Sequence, residues 1–181
     1  LLAKFLRMKT IKDYITTIPD FPKKGIQFRD ITTLVGDAEG LRLAISTMCD
    51  MEKDLDFDII AGAESRGFIF AAPMAYNMHK PLVLVRKKGK LPGQTISQKY
   101  HLEYGDAEME ILANSIKPGT RVLIVDDLLA SGGSVECIIK LVEKLGGVVA
   151  GVCVLVELVD LKGRQRIKGY RLDSAVTYEG E

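Results

Sequence analysis

The chain has 181 residues, which is enough for one domain with a substantial core. Apolar residues make up 47% and charged residues 27%, a mix that excludes a disordered chain. A net charge of +1 excludes a whole-surface nucleic-acid binder, so any anion site must be local.

Residues 1–10 carry Lys4, Arg7 and Lys9 around a short apolar stretch and lack the long apolar run and cleavage site of a secretory signal. Leu41, Ala44, Ile45, Met48, Met51 and Leu55 recur at helical spacing behind Asp37, a suitable N-cap. Residues 57–61 read as a short buried strand and 65–77 as a helix, interrupted or kinked at Pro73. Residues 81–86 form the next strand. A polar loop follows, and Lys117-Pro118-Gly119 makes a turn. Residues 121–125 are the strongest strand; 134–145 form a helix stopped by Gly146-Gly147, and 148–156 a further buried strand. No apolar run approaches the ~20 residues of a membrane span. Cys49, Cys137 and Cys153 are far apart and include no CxxC pair, which argues against zinc. Cys137 and Cys153 lie among apolar residues and read as inert core thiols in a reducing compartment.

Strands apolar throughout and separated by helices indicate an α/β domain with a parallel central sheet flanked by helices. Such sheets bind ligands at the C-terminal ends of their strands, here just after Ala61, Val85 and Val125. Segments before about Val35 and after about Leu161 lie outside this core and are candidates to cap the site.

The most informative stretch is Val122-Leu123-Ile124-Val125-Asp126-Asp127-Leu128-Leu129-Ala130-Ser131-Gly132-Gly133-Ser134. A buried strand ends at two adjacent carboxylates, a loop of small residues follows, and a helix begins. Gly132 and Gly133 leave room for a ligand, and the amides of residues 131–134 can converge at the positive end of the helix dipole. Ser131 and Ser134 add hydroxyl donors. Carboxylates repel phosphate, so Asp126 and Asp127 need another partner in the same ligand; sugar hydroxyls or a magnesium ion fit. The combination reads as recognition of a ribose 5-phosphate. From spacing alone, an ordinary strand-turn-helix connection with Ser134 as N-cap has the same pattern. Neither GxGxxG nor GxxxxGK[ST] occurs.

This stretch resembles the signature of the type I phosphoribosyltransferases, with Ser131 and Ser134 where threonine is commoner. Further segments narrow the resemblance to the adenine-specific branch: Pro19-Asp20-Phe21-Pro22, Gly25-Ile26-Gln27-Phe28-Arg29-Asp30-Ile31, Ala61-Gly62-Ala63-Glu64-Ser65-Arg66-Gly67-Phe68, Val85-Arg86-Lys87-Lys88-Gly89-Lys90-Leu91-Pro92-Gly93, Leu102-Glu103-Tyr104-Gly105, Val156-Glu157-Leu158 and Leu161-Lys162-Gly163-Arg164. The likeness runs from about residue 18 to about 166. It implies one phosphoribosyltransferase domain over 1–181 with an N-terminal hood (10–35) and a β-hairpin lid (88–110). The tail, 168–181, is left open between an edge strand and a disordered end.

The resemblance implies roles residue by residue. Asp126 and Asp127 would hold the ribose diol, and Ala130, Ser131, Gly132, Gly133 and Ser134 the 5′-phosphate. Glu64, Ser65 and Arg66 form the pyrophosphate loop, with a strained peptide bond expected before its third residue. Arg86, Lys87 and Lys90 would meet pyrophosphate, the arginine across a dimer; by composition alone this run reads as a solvated charged face. Gln27 and Arg29 would read the amine edge of adenine through their backbones, with Phe28 and Leu128 on the two faces of the base. Glu103 is the candidate general acid/base in the lid and Tyr104 would pack on the reacting groups; His101 ranks below Glu103, and His79 reads as structural. The partners implied are adenine, 5-phosphoribosyl-1-pyrophosphate, AMP, pyrophosphate and a second copy of the chain, with no nucleic acid and no membrane. Mg2+ would be held by substrate and water, with no direct protein ligand. The setting implied is cytoplasmic purine salvage. The alternatives are a 6-oxopurine or orotate enzyme, or a non-catalytic regulator on the same fold.

Overall fold

The computed structural model describes residues 8–102 and 105–180. In chain order the elements are β1 (Thr16–Pro19), β2 (Gln27–Asp30), a one-turn helix α1 (Thr32–Val35), α2 (Ala38–Glu52), β3 (Ile59–Ala63), α3 (Gly67–Asn77), β4 (Leu82–Lys87), β5 (Thr95–Leu102), β6 (Gly105–Leu112), β7 (Arg121–Leu129), α4 (Gly133–Lys144), β8 (Val148–Leu158), α5 (Gly163–Arg166) and β9 (Leu172–Tyr178).

The central sheet has seven strands in the order β5-β6-β4-β3-β7-β8-β9. Five of them, β4 to β9 in that order, are parallel, and the β5–β6 hairpin extends the β4 edge antiparallel. The alternation of β7 explains its unbroken apolar run. Val122 and Ile124 enter one core, with the inner face of α4; Leu123 and Val125 enter the other, with α2 and α3. Both faces are therefore covered, as parallel strands require. Asp37 caps α2 by accepting from the amides of Glu39 (3.0 Å) and Gly40 (2.9 Å).

Several boundaries differ from expectation. The strand expected at 57–61 runs two residues later; in it Gly62 faces α3, where a Cβ would sit 2.8 Å from that of Ala71, while Ala61 and Ala63 face the other core. The helix over Pro73 is unbroken from Gly67 to Asn77 and begins two residues after the expected start. His79 follows it in the left-handed region (φ 54°), while the Lys80 amide donates to the Ala75 carbonyl (2.9 Å). This closes the helix as a Schellman turn and accounts for the structural role expected of His79. Gly146 (φ 80°) ends α4 in the same way. The tail resolves as an ordered parallel edge strand, β9, paired with β8 from Val152↔Leu172 to Leu158↔Tyr178. Cys137 and Cys153 are buried, and burial pushes the Cys137 thiol up to about 11.

The hood is a two-stranded antiparallel ribbon, β1–β2, with Thr16 opposite Asp30. It docks on the end of the tail: the Arg29 guanidinium lies 4.3 Å from the Tyr178 ring centroid and Lys12 Nζ 4.7 Å from it.

Glu52, at the end of α2, is fully buried, and neither carboxylate oxygen has a hydrogen-bond partner. Burial, and then Asp173, raise its pKa from 4.5 to about 7, against the partial relief of Arg171 at 3.6 Å. The folded state thus keeps a proton that the unfolded chain releases. The stability from this group is full below pH 4.5 and is lost as pH rises to about 7. Glu52→Gln should therefore gain on the wild type between pH 5 and 8, by at most about 3 kcal/mol, in urea unfolding at each pH. A constant difference across that range would contradict it.

Candidate active site

Two adjoining cavities open at the C-terminal ends of the parallel strands. The first, about 360 Å³, is polar and lies between the loop after β3 and the loop after β7. The second, about 480 Å³, is more apolar and lies under the hood. Arg66, Asp127 and Leu128 line both, so a single ligand can run from one to the other.

The floor of the first cavity comes from β7. Pairing with β8 continues to Leu129↔Glu157, so Asp126 and Asp127 lie inside the strand and not just beyond it. Both are buried. The Asp127 amide donates to Asp126 Oδ1 (2.8 Å). Arg66 Nε is 2.7 Å from Asp127 Oδ2, an ion pair not aligned as a hydrogen bond, which leaves that oxygen able to accept. Burial, and then the charge of Asp127, push the Asp126 carboxyl well above the usual carboxylate range.

The cradle follows. Gly132 (φ 82°) is the N-cap of α4, which begins at Gly133 and not at Ser134. Its left-handed backbone turns the chain so that residues 130–134 all face the cavity. The tail fixes this loop from behind. A Cβ on Gly132 would stand 2.8 Å from the Gly163 carbonyl oxygen, and one on Gly163 would overlap the Ala130 carbonyl oxygen. Arg164 locks the tail in place. It donates from Nε (3.0 Å) and Nη2 (2.6 Å) to the buried Glu157 and from Nη1 to the Leu172 carbonyl (3.1 Å).

Opposite the cradle stand Glu64, Ser65, Arg66 and Lys87. The non-proline cis bond joins Glu64 to Ser65, one residue earlier than expected. The Glu64 carboxylate accepts from Arg86 (3.1 and 3.2 Å) and from the Lys87 amide (2.9 Å). The Arg86 hydrogen bond holds the Glu64 carboxyl below its ordinary pKa.

A phosphoribosyl transferase domain model matches residues 42–180. The chain is 55% identical over 174 residues to an adenine phosphoribosyltransferase of Agathobacter rectalis, covering 96% of this chain and all of that one. The crystal structure of an adenine phosphoribosyltransferase from Thermoanaerobacter pseudethanolicus matches with a TM-score of 0.89 and 46% identity, over 93% of this chain and 98% of that one. The enzyme from Saccharomyces cerevisiae, complexed with adenine and an imino-altritol bisphosphate, matches with a TM-score of 0.86 and 33% identity, over 92% and 96%. The chain belongs to the adenine phosphoribosyltransferase family. Its architecture is the type I phosphoribosyltransferase fold.

In this adenine phosphoribosyltransferase fold, most of the expected site residues meet at the two cavities. Asp126, Asp127 and residues 130–134 line the first with Glu64, Ser65, Arg66 and Lys87. Gln27, Phe28, Arg29 and Leu128 line the second. Arg86 and Lys90 line neither: Arg86 is taken up by Glu64 and by the Lys90 carbonyl (3.0 Å). Glu103 and Tyr104 lie outside the described residues. The lid expectation falls on β5–β6, whose arms pair from Thr95↔Leu112 to Leu102↔Gly105 as part of the sheet edge.

Sequence reasoning missed Tyr100 and Met109, which close the first cavity, and Leu158 and Leu161, which add apolar wall to the second. Leu158 could have been found, since it ends a buried strand where ligands bind; Tyr100 and Met109 could not, because their place depends on the hairpin joining the sheet.

Gly163→Ala should lower stability by about 2–4 kcal/mol, because its methyl meets main chain that cannot yield. The measurement is thermal unfolding, with a fall of roughly 5–15 °C expected for a chain of this size. A melting temperature within 1–2 °C of wild type (on the order of 0.5 kcal/mol) would show that the tail does not brace the loop.

Proposed function

We infer that this protein transfers the ribosyl phosphate of 5-phosphoribosyl-1-pyrophosphate to adenine, giving AMP and pyrophosphate. The observation that carries this reading is the pair of joined cavities. One is polar, with Arg66, Lys87 and the glycine-rich loop, and the other more apolar; they share Arg66, Asp127 and Leu128, and in this reading C1′ of the ribose stands at that junction.

In this reading Asp126 and Asp127 accept from the two ribose hydroxyls, and the amides and hydroxyls of residues 130–134 donate to the 5′-phosphate. Ser65, Arg66 and Lys87 meet the pyrophosphate, with Lys90 joining them from the loop after β4. Phe28 and Leu128 lie on the two faces of adenine, while the backbone at Gln27 and Arg29 pairs with its amine edge. A 6-oxo group there would bring acceptor against acceptor. The base nitrogen N9 bonds to C1′ from the face opposite the pyrophosphate, whose bond to C1′ breaks with both electrons leaving on oxygen. The ring between them passes through an oxocarbenium-like state, so the protein's work is to position the ribose and stabilise the departing charge. Glu103 accepts the proton that leaves the imidazole ring, and Tyr104 packs on the reacting groups.

The donor set fits magnesium carried on the substrate. The described residues contain no group of three or more metal-ligating side chains, but two adjacent carboxylates face the phosphate cradle. Mg2+ commonly takes one or two carboxylates or their waters beside substrate phosphate oxygens, and when bound it offsets charge on the leaving pyrophosphate. A homodimer belongs to the same reading, supported by apolar Ile69 and Tyr76 left exposed on α3. So does a cytoplasmic place in purine salvage, supported by three cysteines that form no disulfide.

With magnesium present, adenine should release pyrophosphate from 5-phosphoribosyl-1-pyrophosphate, whereas hypoxanthine, guanine and orotate should not. Turnover of one of those bases in place of adenine would overturn the assignment. Glu103→Ala should lower kcat by about 10²–10⁴-fold with little change in AMP affinity, read by steady-state kinetics and calorimetry. Undiminished turnover would remove Glu103 from the chemistry.

A further inference from the structure

A buried carboxylate that the reading above does not use stands beneath the cation loop. Glu110, on β6 opposite Arg86 of β4, is 2% exposed. Its Oε1 accepts from the amides of Lys90 (2.9 Å) and Leu91 (2.8 Å), and its Oε2 from the Thr95 hydroxyl (3.2 Å). These contacts join three pieces of chain: the loop that leaves β4, the start of the β5 arm, and β6 itself. Burial works to raise the pKa of this carboxyl, but the amides of Leu91, Gly89 and Lys90 outweigh it, so Glu110 is held ionised. The nearest cation is Lys88, with Nζ 4.0 Å from Oε2 and 3.8 Å from Glu108.

On the other side of the same loop, Glu64 takes the Arg86 guanidinium and the Lys87 amide, and Arg86 in turn donates to the Lys90 carbonyl. The segment 86–91 is thus gripped from both sides by buried or half-buried carboxylates, neither of which could itself bind an anion. Glu110 meets the loop by hydrogen bonds to its main chain, so what it sets is where the loop lies.

We propose that Glu110 is a positioning residue: its carboxylate ties the amides of Lys90 and Leu91 to the Thr95 hydroxyl, and thereby places the lysines of the loop for pyrophosphate and fixes the base of the hairpin. The proposal rests on the pyrophosphate reading of Lys87 and Lys90 given above.

Two near-isosteric variants separate geometry from charge. Glu110→Gln keeps one oxygen for both amides and turns an NH2 toward Thr95 Oγ1, which can accept; it loses only the charge. Glu110→Asp keeps the charge but withdraws the oxygens by one methylene. In steady-state kinetics, Glu110→Asp should raise KM for 5-phosphoribosyl-1-pyrophosphate, and for pyrophosphate in the reverse direction, about tenfold or more. Its KM for adenine and for AMP should stay within about twofold, while Glu110→Gln should stay within about threefold of wild type for every substrate. Wild-type kinetics for Glu110→Asp would overturn the proposal. So would equal damage in both variants, or a matching rise in KM for adenine together with a fall in melting temperature, which would mark a general structural role. A wild type that fails to use 5-phosphoribosyl-1-pyrophosphate would instead remove the functional reading itself.

Discussion

The mouth of this sheet depends on main chain meeting main chain with no side chain between. Gly163 lies against the Ala130 carbonyl and Gly132, and Gly67 brings the start of α3 onto Asp126, where a Cβ would be 2.8 Å from Oδ1. These contacts close the back of the loop at 130–134, whose residues line the cavity, and the side of the acidic pair.

Charge is organised around the same geometry. A net charge of +1 hides a local concentration of cations, several of which meet carboxylates by side chain or main chain. Arg66 sits on Asp127, Arg86 on Glu64, and the loop that carries Lys87 to Lys90 is tied down by Glu64 and Glu110. The arrangement puts positive charge at the cavity, from Arg66 and Lys87, beside the buried carboxylates Asp126 and Asp127.

The extent to which the site was legible varies from segment to segment. Most of the stretch from Val122 to Ser134 could be read because it rests on local facts: an apolar strand, two carboxylates, small residues and a helix start; its boundaries could not, since pairing with β8 carries β7 on to Leu129 and α4 begins at Gly133. Phe28 and Leu128 were readable through resemblance, and the cavity under the hood contains both. Arg86 was read as reaching pyrophosphate across a dimer; that it pairs within its own chain with Glu64 had no signal in the sequence, because Glu64 is 22 residues away. Tyr100 and Met109 gave no signal, because alternation along a hairpin does not say which sheet the hairpin joins.

By itself the sequence determined that the chain is α/β and that its strands are covered on both faces, and it marked the two carboxylates of β7 and the glycine-rich loop before α4. Those are consequences of periodicity, glycine and charge within a dozen residues of one another. Tertiary structure alone decided that the tail is a strand, β9, that its Tyr178 carries the hood, and that Gly163 closes the back of the glycine-rich loop. It also decided that Glu110 lies under the cation loop. Each of these pairs groups about 20 to 170 residues apart, and the free energy of such contacts comes from surfaces that exist only after the sheet has assembled.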